Sequence, residues 1–172
     1  MSKSIKIVNI DFLQAELERV SNWIEFADKK AGFLAIFYSS LIGILVSKHK
    51  DLVNSLYTTE GLTHILYAVC FSTTMVLTFF GLLTLFQAVI PNLKNLNTKN
   101  NLFYYGIVAK TKVMDYITEM ESISESTMRK QFLEQLHTNS SIANKKMQRV
   151  QDSLYILFIL VIPFIYIIVT AN

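Results

Sequence analysis

Three stretches of the chain lack charged residues, and polar, charged segments separate them. They are residues 31–47, 61–93 and 153–172, with His64 taken as neutral in the second. The shortest would reach roughly 26 Å as a helix, at the lower end of what crosses a bilayer. A buried core helix can imitate one such stretch, but three of them leave too little polar chain to enclose them. The pattern therefore predicts a membrane protein with three spans.

Apolar residues in the remaining segments recur every three or four positions, which is the spacing of an amphipathic helix. The pattern predicts one helix before residue 31, a second over residues 102–120, and a third from Met128 onward that runs into the last uncharged stretch. Residues 122–127 are polar and predict a break, and the turn-rich run after Pro91 predicts a loop. No segment has the alternation of a β-strand.

The predicted fold class is an all-α integral membrane protein, with three transmembrane helices and a small cytoplasmic helical bundle. Since the first and third amphipathic helices continue into spans, we expect the bundle to lie directly beneath the membrane. The predicted segments are a cytoplasmic amphipathic helix (1–30), transmembrane helix 1 (31–47), an external loop (48–62), transmembrane helix 2 (63–91), a cytoplasmic helical region (92–152) and transmembrane helix 3 (153–172).

The positions of Lys and Arg predict the orientation, because cytoplasmic loops carry an excess of both. Five of these cations precede the first span and nine lie between the second and third spans. The loop between the first two spans holds only Lys48 and Lys50. We therefore expect the N-terminus and residues 92–152 to be cytoplasmic and the C-terminus to lie outside.

Small residues recur every four positions along the first span, at Ala35, Ser39, Gly43 and Ser47. We call these four residues the small-residue stripe. Such a stripe lets helix backbones approach closely. Two interpretations stay open, packing within the monomer and self-association.

The polar residues inside the spans do not indicate a conduction pathway. Hydroxyl side chains of the second span, among them Thr74, Thr78 and Thr84, can bond back to their own helix. Pro163 predicts a kink in the third span. No charged residue lies deep in a span, which argues against an ion-coupled transporter.

Residues that carry catalytic chemistry are scattered. The histidines His49, His64 and His137 show no metal-ligand spacing, and Cys70, the single cysteine, falls within a span. A net charge of +3 gives no case for binding a nucleic acid polymer. We expect a protein that is not an enzyme, with no catalytic residue, no metal and no cofactor.

Cations cluster where the polar segments meet the first and third spans. Lys29 and Lys30 precede the first span, and Lys145 and Lys146 lie within three turns of the third. Flanking lysines ordinarily reach lipid headgroups, and residue chemistry alone favours that interpretation. The alternative is a pocket for an anionic ligand, because ammonium and amide groups suit phosphate and an aromatic face suits a base. Further candidates for such a pocket are Asn100, Asn101, Tyr104 and Asn139.

Three segments match, in the same order, the motifs of a known family. They are residues 23–36 (WIEFADKKAGFLAI), 101–106 (NLFYYG) and 135–150 (QLHTNSSIANKKMQRV). They resemble the transmembrane effectors of bacterial Pycsar antiphage systems, which have an Ala-Asp-x-Lys-Ala segment before the first span and an Asn-Leu-Phe-Tyr-Phe-Gly block after the second. In the family's third block a Gln, a Ser and a Lys recur, and the corresponding positions are Gln135, Ser140 and Lys146.

The resemblance implies a sensor of a cyclic nucleotide that damages the inner membrane during phage infection. The implied ligand is a cyclic pyrimidine mononucleotide, cUMP or cCMP. On this interpretation Lys30 and Lys146 bind the phosphate, and Asn101 and Tyr104 contact the base or ribose. The implied ligand-binding set is Asp28, Lys30, Asn101, Tyr104, Gln135, Ser140 and Lys146.

The resemblance also implies the protein's partners. They are the cyclic nucleotide, the cell inner membrane and a nucleotide cyclase as functional partner. The uncharged stretches independently predict the lipid bilayer as a partner, and the small-residue stripe is the basis for expecting further copies of the chain in a homo-oligomer. Two alternatives stay open. One is a membrane effector that answers a cyclic oligonucleotide, and the other is a non-catalytic membrane anchor or adaptor for a soluble partner.

Overall fold

The computed structural model describes residues 9–90 and 101–171, and every regular element in those two ranges is a helix. The predicted all-α class is therefore confirmed for this part of the chain. The loop predicted after Pro91 lies outside the described residues. In chain order the helices are α1 (Ile10–Ser47), α2 (His49–Thr58), α3 (Gly61–Val89), α4 (Tyr105–Val108), α5 (Val113–Ser122) and α6 (Glu125–Thr170).

Three of these helices, α1, α3 and α6, are long and apolar enough to cross a membrane. They contain residues 31–47, 61–89 and 153–170 of the three uncharged stretches. With 38 and 46 residues, α1 and α6 would measure about 57 Å and 69 Å at the rise of an α-helix. A hydrocarbon core is about 30 Å thick, so both helices are longer than is needed to cross it. The predicted continuity of amphipathic helices with the first and third spans is confirmed.

The prediction of one helix over residues 102–120 is wrong. Residues 105–108 form the single turn α4, and α5 begins only at Val113. Lys112 takes an extended conformation between them, with φ −64° and ψ 142°. The Thr111 hydroxyl bonds back to the carbonyl of Ile107 at 2.9 Å, as Thr does where it competes with helical bonding.

The structure also defines the break between α5 and α6 and the segment between the first two long apolar helices. The break expected within residues 122–127 is confirmed, because α5 ends at Ser122 and α6 begins at Glu125. The segment 48–62, predicted as a loop between the first two spans, contains helix α2. The Tyr67 hydroxyl of α3 donates a hydrogen bond to the carbonyl of Leu52 in α2 at 3.0 Å, which fixes this short helix.

The chain divides into two compact units, and helices α1 and α6 contribute to both. The described residues of the first unit are 9–26 and 101–144, and those of the second are 27–90 and 145–171. The second unit has two hydrophobic clusters. The first cluster joins α1, α3 and α6 through Ala31, Leu34, Tyr38, Leu85, Ala88, Val150 and Leu160. The second brings in α2, through Leu45, Leu52, Tyr67, Phe164, Ile167 and Ala171.

A buried polar contact ties α1, α3 and α6 together inside the first of these clusters. The Tyr38 hydroxyl donates to the Ser153 carbonyl at 2.9 Å, and the Ser153 hydroxyl donates to the Gly81 carbonyl at 3.1 Å. Tyr38 and Ser153 are fully buried. Gly81 has no room for a side chain, because a Cβ there would overlap the Tyr38 ring. We call these three residues the polar node.

Three hydroxyl side chains of the second uncharged stretch bond to their own helix, as predicted. Thr74 donates to the carbonyl of Cys70, Thr78 to that of Thr74, and Thr84 to that of Gly81, each at 2.8 Å. Helix α6 continues through Pro163. The proline lacks the N–H that would bond the carbonyl one turn earlier.

The small-residue stripe does not pack within the monomer over most of its length. Ala35 is partly buried, but Ser39, Gly43 and Ser47 are exposed. A Cβ added at Gly43 would meet no atom within 4 Å. The first of the two interpretations of the stripe is therefore wrong for these three positions, and self-association stays a prediction.

Candidate ligand-binding site

An ion pair joins α1 to α6 within the second unit. The Lys146 ammonium group lies 2.6 Å from Oδ1 and 2.8 Å from Oδ2 of Asp28, 118 positions earlier in the sequence. The Lys146 side chain is only 13% exposed, whereas that of Asp28 is 45% exposed. Because the lysine side chain is largely shielded from water, the carboxylate replaces part of the hydration that an exposed ammonium group would have.

Lys30, the third predicted ligand residue of this unit, lines a cavity of about 360 Å³ between the same two helices. Lys29 joins it on one part of the wall. The wall continues with carbon-rich side chains that include Phe33, Leu34, Val150 and Leu154. Two lysine residues and a largely apolar wall thus line the cavity.

The other four predicted ligand residues belong to the first unit, where Asn101 holds a turn against α6. Asn101 is 2% exposed. Its Nδ2 donates to the Gln131 carbonyl at 2.9 Å, and its Oδ1 accepts the Phe103 N–H at 3.0 Å. The Gln131 Oε1 accepts the Leu102 N–H at 3.2 Å. Both ends of the Asn101 amide therefore bond to backbone, and its contact with a ligand stays a prediction.

Aromatic stacking completes this turn. The Phe103 ring stacks on Phe132 of α6, with centroids 4.4 Å apart and planes 23° from parallel. Tyr104 is partly buried, and its Cε1 lies 2.7 Å from where a Cβ on Gly106 would be. A glycine is needed at position 106 because any side chain there would displace the Tyr104 ring.

Gln135 carries a buried polar atom that has no hydrogen bond. Its Oε1 is inaccessible to solvent and lacks a partner among the residues that the structure describes. Buried polar groups nearly always have partners, so an orphaned one needs a reason. Ser140, five residues farther along α6, is exposed.

Among the seven predicted residues, the structure joins Asp28 and Lys146 by an ion pair. Asp28, Lys30 and Lys146 lie in the second unit, and Asn101, Tyr104, Gln135 and Ser140 lie in the first. Sequence reasoning missed Gln131 and Phe132, which hold the turn of residues 101–103. The helical spacing of Phe132 indicated a packed residue, but nothing in the sequence paired it with Phe103.

The orphaned oxygen of Gln135 gives a stability prediction. Replacing Gln135 with Met removes an unsatisfied polar atom at similar volume, so the melting temperature of the full chain in detergent should stay unchanged or rise. Gln131→Met is the matched control one turn earlier. It deprives the Leu102 N–H of its acceptor and should lower the unfolding free energy by about 1–3 kcal/mol. A lower melting temperature for Gln135→Met would contradict the absence of a partner.

Residues 9–90 and 101–171 contain no cluster of metal-binding side chains. No group of three or more His, Cys, Asp or Glu side chains in those ranges could hold a metal ion. The expectation that the protein is not an enzyme stays a prediction.

The described residues define an all-helical protein with three helices that could span a membrane. An ion pair joins two of these three helices. The model of the Pycsar effector protein domain, PycTM, matches residues 12–171. The chain belongs to this family. The match covers α1 through α6 and includes all seven predicted ligand residues. No curated protein and no solved structure matches the chain.

Proposed function

We propose that the protein is a cyclic-nucleotide-sensing membrane effector of bacterial antiphage defence, which binds cUMP or cCMP and then disrupts the inner membrane to abort infection. Membership of the Pycsar effector family supports the response to a cyclic nucleotide. The three apolar helices support action at a membrane. The observation that carries the mechanism is the ion pair between Asp28 and Lys146.

The ion pair offers a way for an anion to act on two spans. Asp28 lies on α1 and Lys146 on α6, and each helix contains an apolar stretch that could cross the membrane. A ligand shifts a conformational equilibrium only if it binds one state better than the other. In the proposed resting state Lys146 pairs with Asp28 and so holds α1 against α6. A phosphate that binds Lys146 has to replace Asp28, so it binds better to the active state, in which this contact is broken.

In the proposed active state the released spans associate with those of other copies. The exposed positions of the small-residue stripe support this step, since Ser39 and Gly43 leave the α1 backbone open to a close neighbour. The cyclase that makes the nucleotide is the proposed functional partner. The proposed orientation keeps residues 92–152 in the cytoplasm, where such a ligand is made.

Binding is tested on the purified full chain in detergent, with cUMP, cCMP, cAMP and a cyclic dinucleotide. We expect one of the two cyclic pyrimidine nucleotides to raise the melting temperature, since a ligand at 100 times its Kd stabilises by about 2.7 kcal/mol. Reconstituted vesicles should then release an entrapped dye when that nucleotide is added. Binding without dye release favours the adaptor alternative, and a response to the dinucleotide alone favours the oligonucleotide alternative. No response to any of the four contradicts the sensor.

Asp28→Asn separates competition at Lys146 from direct contact with the nucleotide. If phosphate displaces Asp28, the variant should bind the nucleotide about fivefold more tightly, because a partly exposed ion pair of about 1 kcal/mol no longer opposes binding. Lys146→Gln should weaken binding more than tenfold. The matched control is Asp152→Asn, since Asp152 pairs with Arg149 at 3.8 Å in an exposed contact. Weaker binding by Asp28→Asn would instead make Asp28 a ligand contact, as the family resemblance implies.

A further inference from the structure

The cavity between α1 and α6 has two chemically different parts. Lys29 and Lys30 line the cavity where the uncharged stretch of α1 begins. Beyond them the wall is mostly hydrocarbon, including Leu34, Val150 and Leu154, with one amide side chain, that of Gln151. A volume of about 360 Å³ falls within the range of ordinary ligand pockets.

This combination disfavours a nucleotide and fits an amphiphile. A ribose and a base present many polar atoms, and an apolar wall would leave those atoms without hydrogen bonds. An anionic phospholipid has a phosphate for the ammonium groups and an acyl chain for the hydrocarbon wall. Lys29 and Lys30 take part in other interactions, but each ammonium carries three donors and accommodates a phosphate oxygen in addition.

The exposed flanks of the cavity point to a lipid of the surrounding leaflet. Phe33 is 63% exposed and Leu154 36% exposed, both on helices that could span the membrane. An acyl chain reaching the cavity from the bilayer would cover these side chains. Basic residues at the cytoplasmic end of a span are the ordinary recognition element for anionic headgroups.

We propose that this cavity binds one anionic phospholipid, with its phosphate at Lys29 and Lys30 and an acyl chain against Leu34, Val150 and Leu154. The lipid bridges α1 and α6 near the Asp28–Lys146 ion pair and stabilises their contact. The assignment does not depend on nucleotide sensing, and it gives Lys30 to the lipid instead of the nucleotide.

Native mass spectrometry of the full chain in detergent tests the site. The protein is titrated with phosphatidylglycerol and with phosphatidylcholine of the same acyl chains, and the fraction carrying one lipid is measured. Two lysines near an anionic headgroup contribute about 30-fold in affinity, so we expect phosphatidylglycerol to bind about 30-fold more tightly than phosphatidylcholine. Equal affinity for the two lipids would mean a general lipid coat and would overturn the proposal.

Substitutions place the lipid at the cavity. Lys29→Gln with Lys30→Gln should reduce the preference for phosphatidylglycerol to near one, and Lys29→Arg with Lys30→Arg should retain it. Lys145→Gln and Arg149→Gln together remove two exposed cations that do not line the cavity, and should leave the preference unchanged. An equal loss in this control would overturn the site. Melting temperatures without lipid confirm that each variant is folded.

Two soluble competitors separate the lipid from other phosphates. Glycerol 3-phosphate should not displace phosphatidylglycerol, because it lacks the acyl chain that the apolar wall holds. A cyclic pyrimidine nucleotide should weaken lipid binding in the unaltered chain, because it separates the two helices that the lipid bridges. It should not displace the lipid from Lys146→Gln, which lacks the proposed nucleotide contact. Displacement by glycerol 3-phosphate, or by the nucleotide from Lys146→Gln, would overturn the lipid assignment. Nucleotide binding measured without added lipid tests the proposed sensor function alone. Failure of the lipid proposal therefore does not contradict the sensor, and failure of the sensor does not contradict the lipid site.

Discussion

Gly81→Ala should lower the unfolding free energy by about 3 kcal/mol, the upper end of what overpacking of a core costs. A Cβ at this position would overlap the Tyr38 hydroxyl and lie 2.7 Å from its ring Cε1. Tyr38 is fully buried and its hydroxyl bonds to the Ser153 carbonyl at 2.9 Å, so a shift of the ring disturbs buried packing and this hydrogen bond. The added methyl therefore separates α3 from α1 or breaks the polar node.

Thermal unfolding in detergent measures this effect. For a chain of this size, about 3 kcal/mol corresponds to a fall of about 6–12 °C in melting temperature. The matched control is Gly43→Ala on α1, where an added Cβ meets nothing within 4 Å and the melting temperature should not fall. Equal losses for the two glycine variants would show that helix–helix clearance at Gly81 is not the cause.

Combining Gly81→Ala with Tyr38→Phe assigns the loss to one contact. Tyr38→Phe alone gives up the hydrogen bond to Ser153, which is worth about 1 kcal/mol. It also removes the oxygen nearest to the new methyl group. The double variant should therefore be more stable than the sum of the single losses indicates, with a coupling of about 0.5–3 kcal/mol. Simple additivity would exclude the Tyr38 hydroxyl as the obstacle.

The three long apolar helices were predictable because crossing a membrane restricts a sequence more tightly than exposure to water does. A stretch such as residues 153–172 has no charge over a length that crosses the hydrocarbon core, and few other structures tolerate this. The continuity of α1 and α6 with their spans was also predictable, since no proline or glycine cluster interrupts the chain between the amphipathic and uncharged parts. The break before α5 was not, because the apolar spacing of residues 102–120 continues through it.

The contacts between helices could not be predicted from the sequence. Asp28 and Lys146 were both selected as ligand residues, yet nothing in the sequence indicates that they bind each other across 118 positions. Their pairing depends on how α1 and α6 are rotated about their axes, which the packing of whole helix faces decides. The polar node depends on the same rotations. The sequence places Tyr38 and Ser153 in apolar stretches but does not indicate that they bond to each other. Their contact forms where Gly81 allows the α3 backbone to come close.

Local chemistry at the candidate site was predictable only where a family motif marked it. The block of residues 101–106 was selected for its resemblance, and the structure gives it a packing role through Asn101 and Phe103. The partners of that block, Gln131 and Phe132, lie outside every motif. Their contribution comes from a tertiary contact across about 30 positions, and helical periodicity indicates only that Phe132 faces other residues.

Phe132→Ala should have the largest effect on the first unit. Phe132 is 6% exposed and stacks on Phe103 with ring centroids 4.4 Å apart. Truncation of a buried Phe costs about 3–5 kcal/mol, from lost burial and the cavity left behind. Since the stack holds residues 101–103 against α6, we expect this segment to lose its contact with the helix.

Hydrogen exchange resolves where the effect falls. The amides of Leu102 and Phe103, whose acceptors belong to Gln131 and Asn101, should exchange faster in Phe132→Ala than in the unaltered chain. Amides of residues 150–165 in the second unit should keep their protection, because their packing involves the clusters of α1, α3 and α6. Leu133→Ala is the matched control, since Leu133 is 46% exposed and adjacent in sequence. Loss of protection throughout α6 in Phe132→Ala would mean that the two units unfold as one.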